Sequence, residues 1–379
     1  MRLASFNVEN LFERARALNQ TDREATRRLL DAQASLNATF RKPKYTAADR
    51  RKMVGWLADL GLARADESKD ALLRQNRGKL RRRQVGRLEI TAAGGEDWIG
   101  WVELKTEPVN ARALDNTARI IALLRADVLA VIEAESRPAL RRFATLMLPG
   151  VGFDPADAPE EPPPAYPRVM LVDGNDDRGI DVGLLAGEGF AIHCVTSHVD
   201  DRDAKGRLIF SRDCPEYEVA LPGGGTLHLL VNHFKSQGFG GKAASDAKRL
   251  AQAERVRALY EARLQANTEF VAVLGDLNDR PESAPLAPLL GNGGPRDVST
   301  HPGYQDDGRP GTWRNGTAAN KLDYILLSPA LWDRVEAAGV ERRGVWGGTR
   351  GTLFPHLATI TREEEAASDH AAIWVDLRL

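Results

Sequence analysis

Short apolar runs, almost uninterrupted by polar residues, constrain the fold of this chain more than any other feature of its sequence. They have the length of strands, are bounded by Gly, Pro, Asn or Asp, and lie at residues 1–8, 127–132, 179–185, 226–231, 270–274, 322–327 and 372–377. A strand that is apolar on both faces belongs in a sheet that is covered on both sides. Residues 113–125 and 246–265 have the apolar spacing of helices. We therefore predict an α/β fold in which two sheets pack together and helices cover the outside.

The composition supports a large folded core and excludes several classes of protein. Of the 379 residues, 42% are hydrophobic and 28% are charged, which is typical of globular proteins and excludes disordered and fibrous chains. The two cysteines, Cys194 and Cys214, cannot form a disulfide framework. No apolar run approaches the roughly 18 residues of a membrane helix, and no export signal follows Met1. We expect a cytoplasmic protein that does not bind membranes.

The charge of the chain is unevenly distributed along the sequence. Residues 14–110 contain 21 Lys+Arg and 13 Asp+Glu, a net charge of +8, whereas the remainder carries about −9. Within this segment, residues 22–36 and 47–62 have helical apolar spacing. We predict one domain, residues 1–379, that contains a basic and mainly helical insertion at residues 14–110.

A basic run in this insertion has two interpretations. Five of the nine residues from Lys79 to Arg87 are basic. They form either an ordinary solvated surface or a contact with the phosphate backbone of a nucleic acid. On the second interpretation, the substrate-binding candidates are Lys79, Arg81, Arg82 and Arg83.

Polar and acidic residues cluster at the ends of the predicted strands. These residues are Asn7, Glu9, Glu133, Asn232, His233, Asp276, Asn278, Asp323, Asp369 and His370. If neighbouring strands share an edge, the side chains converge on one cleft, where loops on a rigid scaffold commonly carry function. Several carboxylates with an amide suit a hard divalent cation such as Mg²⁺, whereas zinc would require Cys or several His. Two histidines add groups that can contact a phosphate, so the set indicates metal-assisted cleavage of a phosphoester.

These residues lie in short motifs that resemble, in order, those of the endonuclease/exonuclease/phosphatase superfamily. The superfamily includes deoxyribonuclease I, exonuclease III, inositol polyphosphate 5-phosphatases and neutral sphingomyelinases. The motifs are Asn7-Val8-Glu9-Asn10, Ile132-Glu133, Asn232-His233-Phe234-Lys235-Ser236, Gly275-Asp276-Leu277-Asn278, Leu322-Asp323-Tyr324-Ile325 and Ser368-Asp369-His370. Six motifs in the family order are far more specific than any one of them alone.

The resemblance implies a four-layer α/β sandwich and a hydrolase that depends on Mg²⁺ or Mn²⁺. It implies that Glu133 is the principal metal ligand, with Asn7 beside it, Asp369 near the metal or its waters, and Glu9 as a further contributor. The chain has Val131-Ile132-Glu133 where family members frequently have Leu-Gln-Glu, and Glu135 offers a second carboxylate. The motif position favours Glu133.

The resemblance also implies roles for the remaining residues of the cleft. Asp276 would orient and deprotonate the attacking water, and Asn278 would hold that water or a phosphate oxygen. His370, oriented by Asp323, would contact the scissile phosphate. His233 would bind phosphate or protonate the leaving oxygen. Its partner would be Asp177 or Arg178, and Arg178 is also a candidate for substrate binding.

The function remains open among three alternatives at this point. We favour a nuclease acting on DNA or RNA, because the insertion is basic and Trp98, Trp101 and Trp313 could stack on bases. Packing is the simpler interpretation of these tryptophans. The alternative enzyme is a phosphatase or phosphodiesterase of a small-molecule or lipid phosphate, and the alternative class is a binding module without activity. Gly241-Lys242 lacks the other residues of a phosphate-binding P-loop, so we predict no nucleotide cofactor.

Overall fold

The computed structural model describes residues 1–16, 23–84, 87–176, 178–237 and 241–379. The chain divides into two compact units. The first, which we call the sandwich unit, comprises Met1–Phe12 and most of the chain after Val109. The second, which we call the insertion unit, comprises Glu13–Pro108.

Both units combine strands with helices. In chain order, the strands are β1 (Arg2–Asn7), β2 (Glu13–Ala15), β3 (Ala71–Arg77), β4 (Arg81–Gln84), β5 (Arg87–Ile90), β6 (Ile99–Leu104), β7 (Thr106–Pro108), β8 (Val128–Ala134), β9 (Arg168–Leu171), β10 (Asp181–Ala186), β11 (Ile192–Thr196), β12 (Glu216–Ala220), β13 (Thr226–His233), β14 (Val271–Asp276), β15 (Arg296–Asp297), β16 (Asp323–Leu327), β17 (Val335–Glu341) and β18 (Ala372–Leu377). The α-helices are α1 (Arg23–Phe40), α2 (Ala47–Asp59), α3 (Ala111–Leu124), α4 (Arg137–Arg142), α5 (Lys242–Gln265), α6 (Ala287–Leu290) and α7 (Pro329–Trp332). Among the helices of the described residues, none combines the length and the apolar character that crossing a bilayer would require.

The sandwich unit contains two six-stranded mixed sheets. The first has the strand order β17-β18-β1-β8-β10-β9, and the second has the order β11-β12-β13-β14-β16-β15. In each sheet two central strands are parallel, β1 with β8 and β13 with β14, and their other pairings are antiparallel. The carboxyl ends of these parallel strands therefore lie at a common edge within each sheet.

Alternation of apolar side chains along the strands generates the layers. In β8, Ile132 packs against the second sheet, whereas Val131 belongs to the core beneath α3 and α4. In β14, Leu274 packs between the sheets and Val273 packs against α5. The layers are therefore helix, sheet, sheet and helix, which confirms the predicted α/β sandwich with two packed mixed sheets. Each strand needs apolar residues on both faces because both faces are covered.

The insertion unit has a core of its own, which includes Leu36, Met53 and Trp98. Its first half contains the two predicted helices, α1 and α2, and a capping box between Thr46 and Asp49 starts α2. Its second half pairs β3 with β6 and β4 with β5 in antiparallel ribbons. The expectation of a mainly helical insertion therefore describes residues 23–59 and not the residues that follow. Charge dominates the sequence there and obscures the alternation of the strands.

Gly275 provides a test of how the second sheet is held together. Its φ is +125°, and an added Cβ would lie 2.0 Å from the carbonyl oxygen of Asn232 on β13. We expect Gly275→Ala to lower the free energy of unfolding by roughly 2 to 5 kcal/mol, because it adds both backbone strain and a steric clash. Urea unfolding measures this, with Gly223→Ala as the matched control, since nothing lies within 4 Å of a Cβ at Gly223. Equal stability of the two variants would contradict the analysis.

Candidate active site

Strand register brings the polar residues of each sheet to one edge. Asn7 at the end of β1 is level with Ile132 on β8, so Glu133 follows immediately beside it. In the second sheet, Asp276 on β14 is level with His233 on β13 and with Asp323 on β16. The two sheets meet at this edge, where the Asn7 amide nitrogen donates to Asp276 Oδ2 at 3.2 Å.

Asp276 is the most fully engaged carboxylate of this group. Its Oδ1 accepts the backbone N–H of Asn278 at 2.8 Å, and its Oδ2 accepts the side-chain amides of Asn7 and Asn278 at 3.2 and 3.1 Å. The Asn278 amide also donates to the Phe234 carbonyl at 3.2 Å. Burial, together with repulsion from the carboxylate of Asp323, raises the pKa of Asp276 to about 7. Asp276 is therefore a fixed carboxylate that can accept a proton near neutral pH.

His370 and Asp323 form a second buried pair. His370 Nδ1 lies 2.8 Å from Asp323 Oδ2, which also accepts the Thr312 hydroxyl at 2.6 Å. Burial alone would lower the pKa of His370, but the charge of Asp323 and the hydrogen bond to it raise this pKa well above its usual value. The pair therefore carries an imidazolium whose Nε2 points away from Asp323.

His233 lies between residues of the two sheets. Its Nε2 is 3.6 Å from both Glu133 Oε1 and Asp276 Oδ2. Burial and the nearby guanidinium groups of Arg212 and Arg178 lower the pKa of His233 well below its usual value. His233 is consequently a neutral imidazole, which fits hydrogen bonding to a phosphate oxygen better than the donation of a proton as a cation. Asp177, one of its two expected partners, lies outside the described residues.

Glu133 and Glu135 differ clearly in their surroundings. Glu135 Oε1 accepts the backbone N–H groups of Leu11 and Phe12 at 2.8 and 2.6 Å, so this carboxylate supports the loop after β1. Glu133 instead faces His233, and its side chain is 20% exposed. The structure therefore separates the two carboxylates: Glu133 belongs to the cleft and Glu135 to its support.

Left-handed backbone marks the loops that carry these residues. Glu9, Glu133 and Asn278 have φ values of 51°, 69° and 54°. Such conformations are costly for residues other than glycine, and they persist where the surrounding structure imposes them. In the first loop, Asn7 Oδ1 accepts the Glu9 N–H at 3.1 Å.

Asp369 and Glu9 lie beside each other at the same edge. The N–H of Asp369 donates to Glu9 Oε2 at 3.0 Å, and Asp369 Oδ2 accepts the Trp313 indole N–H at 2.8 Å. Arg314 approaches the same oxygen at 3.4 Å. Trp313, one of the tryptophans considered for base stacking, is thus part of the cleft.

A buried network that sequence reasoning missed adjoins this cleft. Asp176 Oδ2 lies 2.9 Å from Arg212 Nε and 2.7 Å from an Arg178 guanidinium nitrogen. Arg212 also donates to the Phe234 carbonyl at 3.1 Å, and only 2% of the residue is exposed. Buried, paired arginines are rare, and nothing in a single sequence distinguishes Arg212 from a surface arginine. Arg178, a candidate for substrate binding, is held by Asp176.

The oxygen donors of the cleft fit a hard divalent cation. In the described part of the chain, one group of His, Cys, Asp and Glu has ligand atoms that all lie within 4.8 Å of one another, and its members are Asp276, Asp323 and His370. Asp276 and Asp323 already accept several hydrogen bonds there, so we regard this group as proton-handling. Glu133, whose side chain is 20% exposed beside His233, and the Asn7 amide oxygen could hold such a cation, because Mg²⁺ binds few carboxylates and retains waters.

The candidate substrate-binding residues of the insertion unit have separate environments. Lys79 is exposed, Arg81 forms an ion pair with Asp66 at 2.5 Å, and Arg82 approaches Glu89 at 3.5 Å. The side chain of Arg83 lies outside the described residues. Of the other tryptophans, Trp98 is buried in the core of this unit, which makes it a packing residue, whereas 42% of Trp101 is exposed.

The raised pKa of Asp276 predicts a pH-dependent cost to stability when no metal is present. The folded protein holds a proton on Asp276 up to about pH 7, whereas the unfolded chain releases it near its ordinary pKa of 3.8. Between these values stability therefore falls as the pH rises. We expect the stability of Asp276→Asn relative to the parent to rise with pH across this window, by at least about 1 kcal/mol between about pH 4.5 and pH 7.5. Urea unfolding in EDTA at several pH values measures the difference, with Asp59→Asn, at an exposed position, as control. A difference that does not change with pH would contradict this.

Comparison with known proteins identifies the family. The model of the Endonuclease/Exonuclease/phosphatase family matches residues 104–370, which include all of these cleft residues except Asn7 and Glu9. No curated protein sequence matches the chain.

Solved structures of similar fold come from several organisms. Truncated TDP2 of Caenorhabditis elegans has 19% identity and a TM-score of 0.45, covering 70% of this chain and 88% of its own. The mannosyl-6-phosphatase of Bacteroides thetaiotaomicron has 16% identity and a TM-score of 0.49, with coverages of 71% and 91%. The catalytic domain of human Nocturnin has 14% identity and a TM-score of 0.46, with coverages of 72% and 88%. Because the family model spans well over half of the sequence, the chain belongs to the endonuclease/exonuclease/phosphatase family of phosphoester hydrolases.

Proposed function

We propose that this chain is a divalent-metal-dependent nuclease that hydrolyses phosphodiester bonds of DNA or RNA by in-line attack of water. The observation that carries the proposal is the buried Asp276 carboxylate, which the side-chain amides of Asn7 and Asn278 hold beside the His370–Asp323 pair. A proposed base, Asp276, and a proposed imidazolium, His370, thus lie together in a cleft that also contains Glu133. These are the groups that water attack on a phosphate requires.

Asp276 is the proposed general base. Hydrogen bonds from Asn7 and Asn278 fix its orientation, and its pKa of about 7 allows it to take a proton from water at neutral pH. A base is most effective when its pKa lies near the working pH. Asn278 is proposed to hold the same water or an adjacent phosphate oxygen.

His370 and His233 are proposed to bind the phosphate in different protonation states. The imidazolium of His370, maintained by Asp323, stabilises the negative charge that grows on the phosphate. The neutral His233 donates a single hydrogen bond, and Arg178 adds a fixed positive charge nearby. Protonation of the leaving oxygen then falls to His370 or to water rather than to His233.

Glu133 and the Asn7 amide oxygen are the proposed ligands of Mg²⁺ or Mn²⁺, with Asp369 and Glu9 beside them. The bound cation would polarise a phosphate oxygen and offset charge on the leaving oxygen. Glu9 and Asp369 contact each other through the Asp369 N–H, so they act as one acidic group toward the cation or its waters.

A nucleic acid is the proposed substrate because of the charge of the insertion. Residues 14–110 carry +8, while the rest of the chain is acidic. A polyanion gains affinity from such a segment, whereas a small phosphate ester needs only the cleft. Among the basic residues considered in the run 79–87, Lys79 is exposed.

Substitution of Asp276, the proposed base, and of His370, the proposed imidazolium, tests the mechanism. We expect Asp276→Ala and His370→Ala each to lower turnover by roughly three orders of magnitude or more, because both residues act on the transition state. The assay titrates Mg²⁺ against labelled single-stranded DNA, duplex DNA, RNA and bis(4-nitrophenyl) phosphate, with Asp59→Ala as control. Turnover of Asp276→Ala equal to the parent would contradict the assignment of the base. Turnover of small esters alone would indicate a phosphodiesterase or phosphatase instead of a nuclease.

The two neighbouring glutamates provide a matched test of the metal site. We expect Glu133→Gln to weaken Mn²⁺ binding at least about tenfold in calorimetry, because it removes a charged ligand. Glu135→Gln should lower the thermal stability and leave Mn²⁺ affinity close to that of the parent, since Glu135 bonds the backbone of Leu11 and Phe12. If Glu135→Gln weakened Mn²⁺ binding and Glu133→Gln did not, Glu135 would be the metal ligand instead.

A further inference from the structure

The insertion unit presents one unusual face to solvent. Trp101 and Ile99 lie two residues apart on β6, and they are 42% and 44% exposed. Both point away from the core, because their neighbour Val102 is buried with Leu104 on the opposite face. Strand alternation therefore places two large apolar side chains side by side on the outside of the ribbon.

Basic residues flank these side chains on the paired strand. Arg74 on β3 lies directly opposite Trp101, and Arg77 lies opposite Ile99. Both arginines are exposed, as is Lys79 just beyond the strand. Arg74 Nε contacts Glu103 Oε2 at 2.8 Å, and Arg77 donates to the Glu96 carbonyl at 2.5 Å, so the guanidinium groups are oriented rather than free. We refer to Arg74, Arg77, Ile99 and Trp101 as the ribbon face, on which Glu103 also lies.

The chemistry of the ribbon face indicates one kind of ligand. An exposed indole offers a flat surface on which a base can stack, and adjacent cations neutralise the phosphates on either side of that base. The bases of a duplex are already stacked on one another, so an exposed indole favours unpaired bases. The net charge of +8 in residues 14–110 complements a phosphate backbone. A protein partner would not need this excess of charge.

We propose that the ribbon face binds single-stranded nucleic acid, with one base stacked on Trp101. This inference deepens the proposed nuclease function by assigning a binding surface outside the cleft and a preference for unpaired strands. It also moves the main contact of the insertion from Arg81, whose side chain is only 8% exposed, to the ribbon of β3 and β6, where the side chain of Arg74 is 49% exposed.

Binding of the full-length chain to labelled oligothymidylate, oligouridylate and a duplex of the same length tests the proposal. Fluorescence anisotropy in EDTA measures binding without cleavage. We expect Trp101→Ala to weaken the affinity for single strands by roughly 5- to 100-fold, the loss that one stacked base produces, while Trp101→Phe retains most of it. The plot of log affinity against log salt has a negative slope. Arg74→Gln should reduce the magnitude of this slope by about 0.7, the value for one phosphate contact with a single strand.

Two control variants test whether binding depends on this surface rather than on the overall charge or on any exposed apolar side chain. Arg51→Gln removes an equal charge from α2 of the same unit, and Leu146→Ala removes an apolar side chain that is 68% exposed in the sandwich unit. Both variants should bind oligothymidylate as the parent does. If Arg51→Gln weakens binding as much as Arg74→Gln, net charge alone attracts the strand and the proposal is wrong.

The remaining outcomes distinguish a failure of the ribbon face as a binding surface from a failure of the proposed nuclease function. If Trp101→Ala binds single strands as tightly as the parent, the ribbon face is not the binding surface, even when the parent cleaves DNA. If that variant instead changes the mass measured by light scattering, the face is a contact between protein chains, and the proposal is overturned. A parent that binds single strands through Trp101 but cleaves none retains the ribbon face and loses the nuclease function.

Discussion

The cleft depends on holding one buried carboxyl group in a fixed orientation where two sheets meet. Asp276, at the end of β14 in the second sheet, receives hydrogen bonds from Asn7 in the first sheet and from Asn278 in the loop after β14, so its orientation requires both sheets to be correctly packed. The cost of burial appears as the raised pKa, and the neighbouring His370 supplies a compensating positive charge. Folding and the proposed chemistry are therefore coupled at this position, because the same packing that builds the core orients the carboxyl group that we propose as the base.

The central strands and the members of the cleft were predictable from the sequence, because both follow from simple patterns. Strands covered on both faces are apolar throughout, and such runs identify β8, β13 and β14 without further information. Polar residues directly after those runs must lie at the ends of the strands. The partially exposed strands β11 and β17 escaped prediction because their exposed positions interrupt the apolar run.

Other features depend on tertiary contacts and leave no trace in a single sequence. The choice between Glu133 and Glu135 is decided by which of the two meets the backbone of Leu11 and Phe12. Arg212 resembles any surface arginine until Asp176 and the Phe234 carbonyl enclose it. In the insertion unit, high charge obscures the alternation of β3 and β6, so the exposed position of Trp101 becomes evident only when the register is known.

The close approach of β13 and β14 at Gly275 has a consequence for how this protein can evolve. The main chain itself, rather than any large side chain, sets the distance between His233 and Asp276, since Gly275 leaves no room for a Cβ against Asn232. Apolar residues deeper in the sandwich can then be exchanged over generations with little effect on the relative position of the imidazole and the carboxylate.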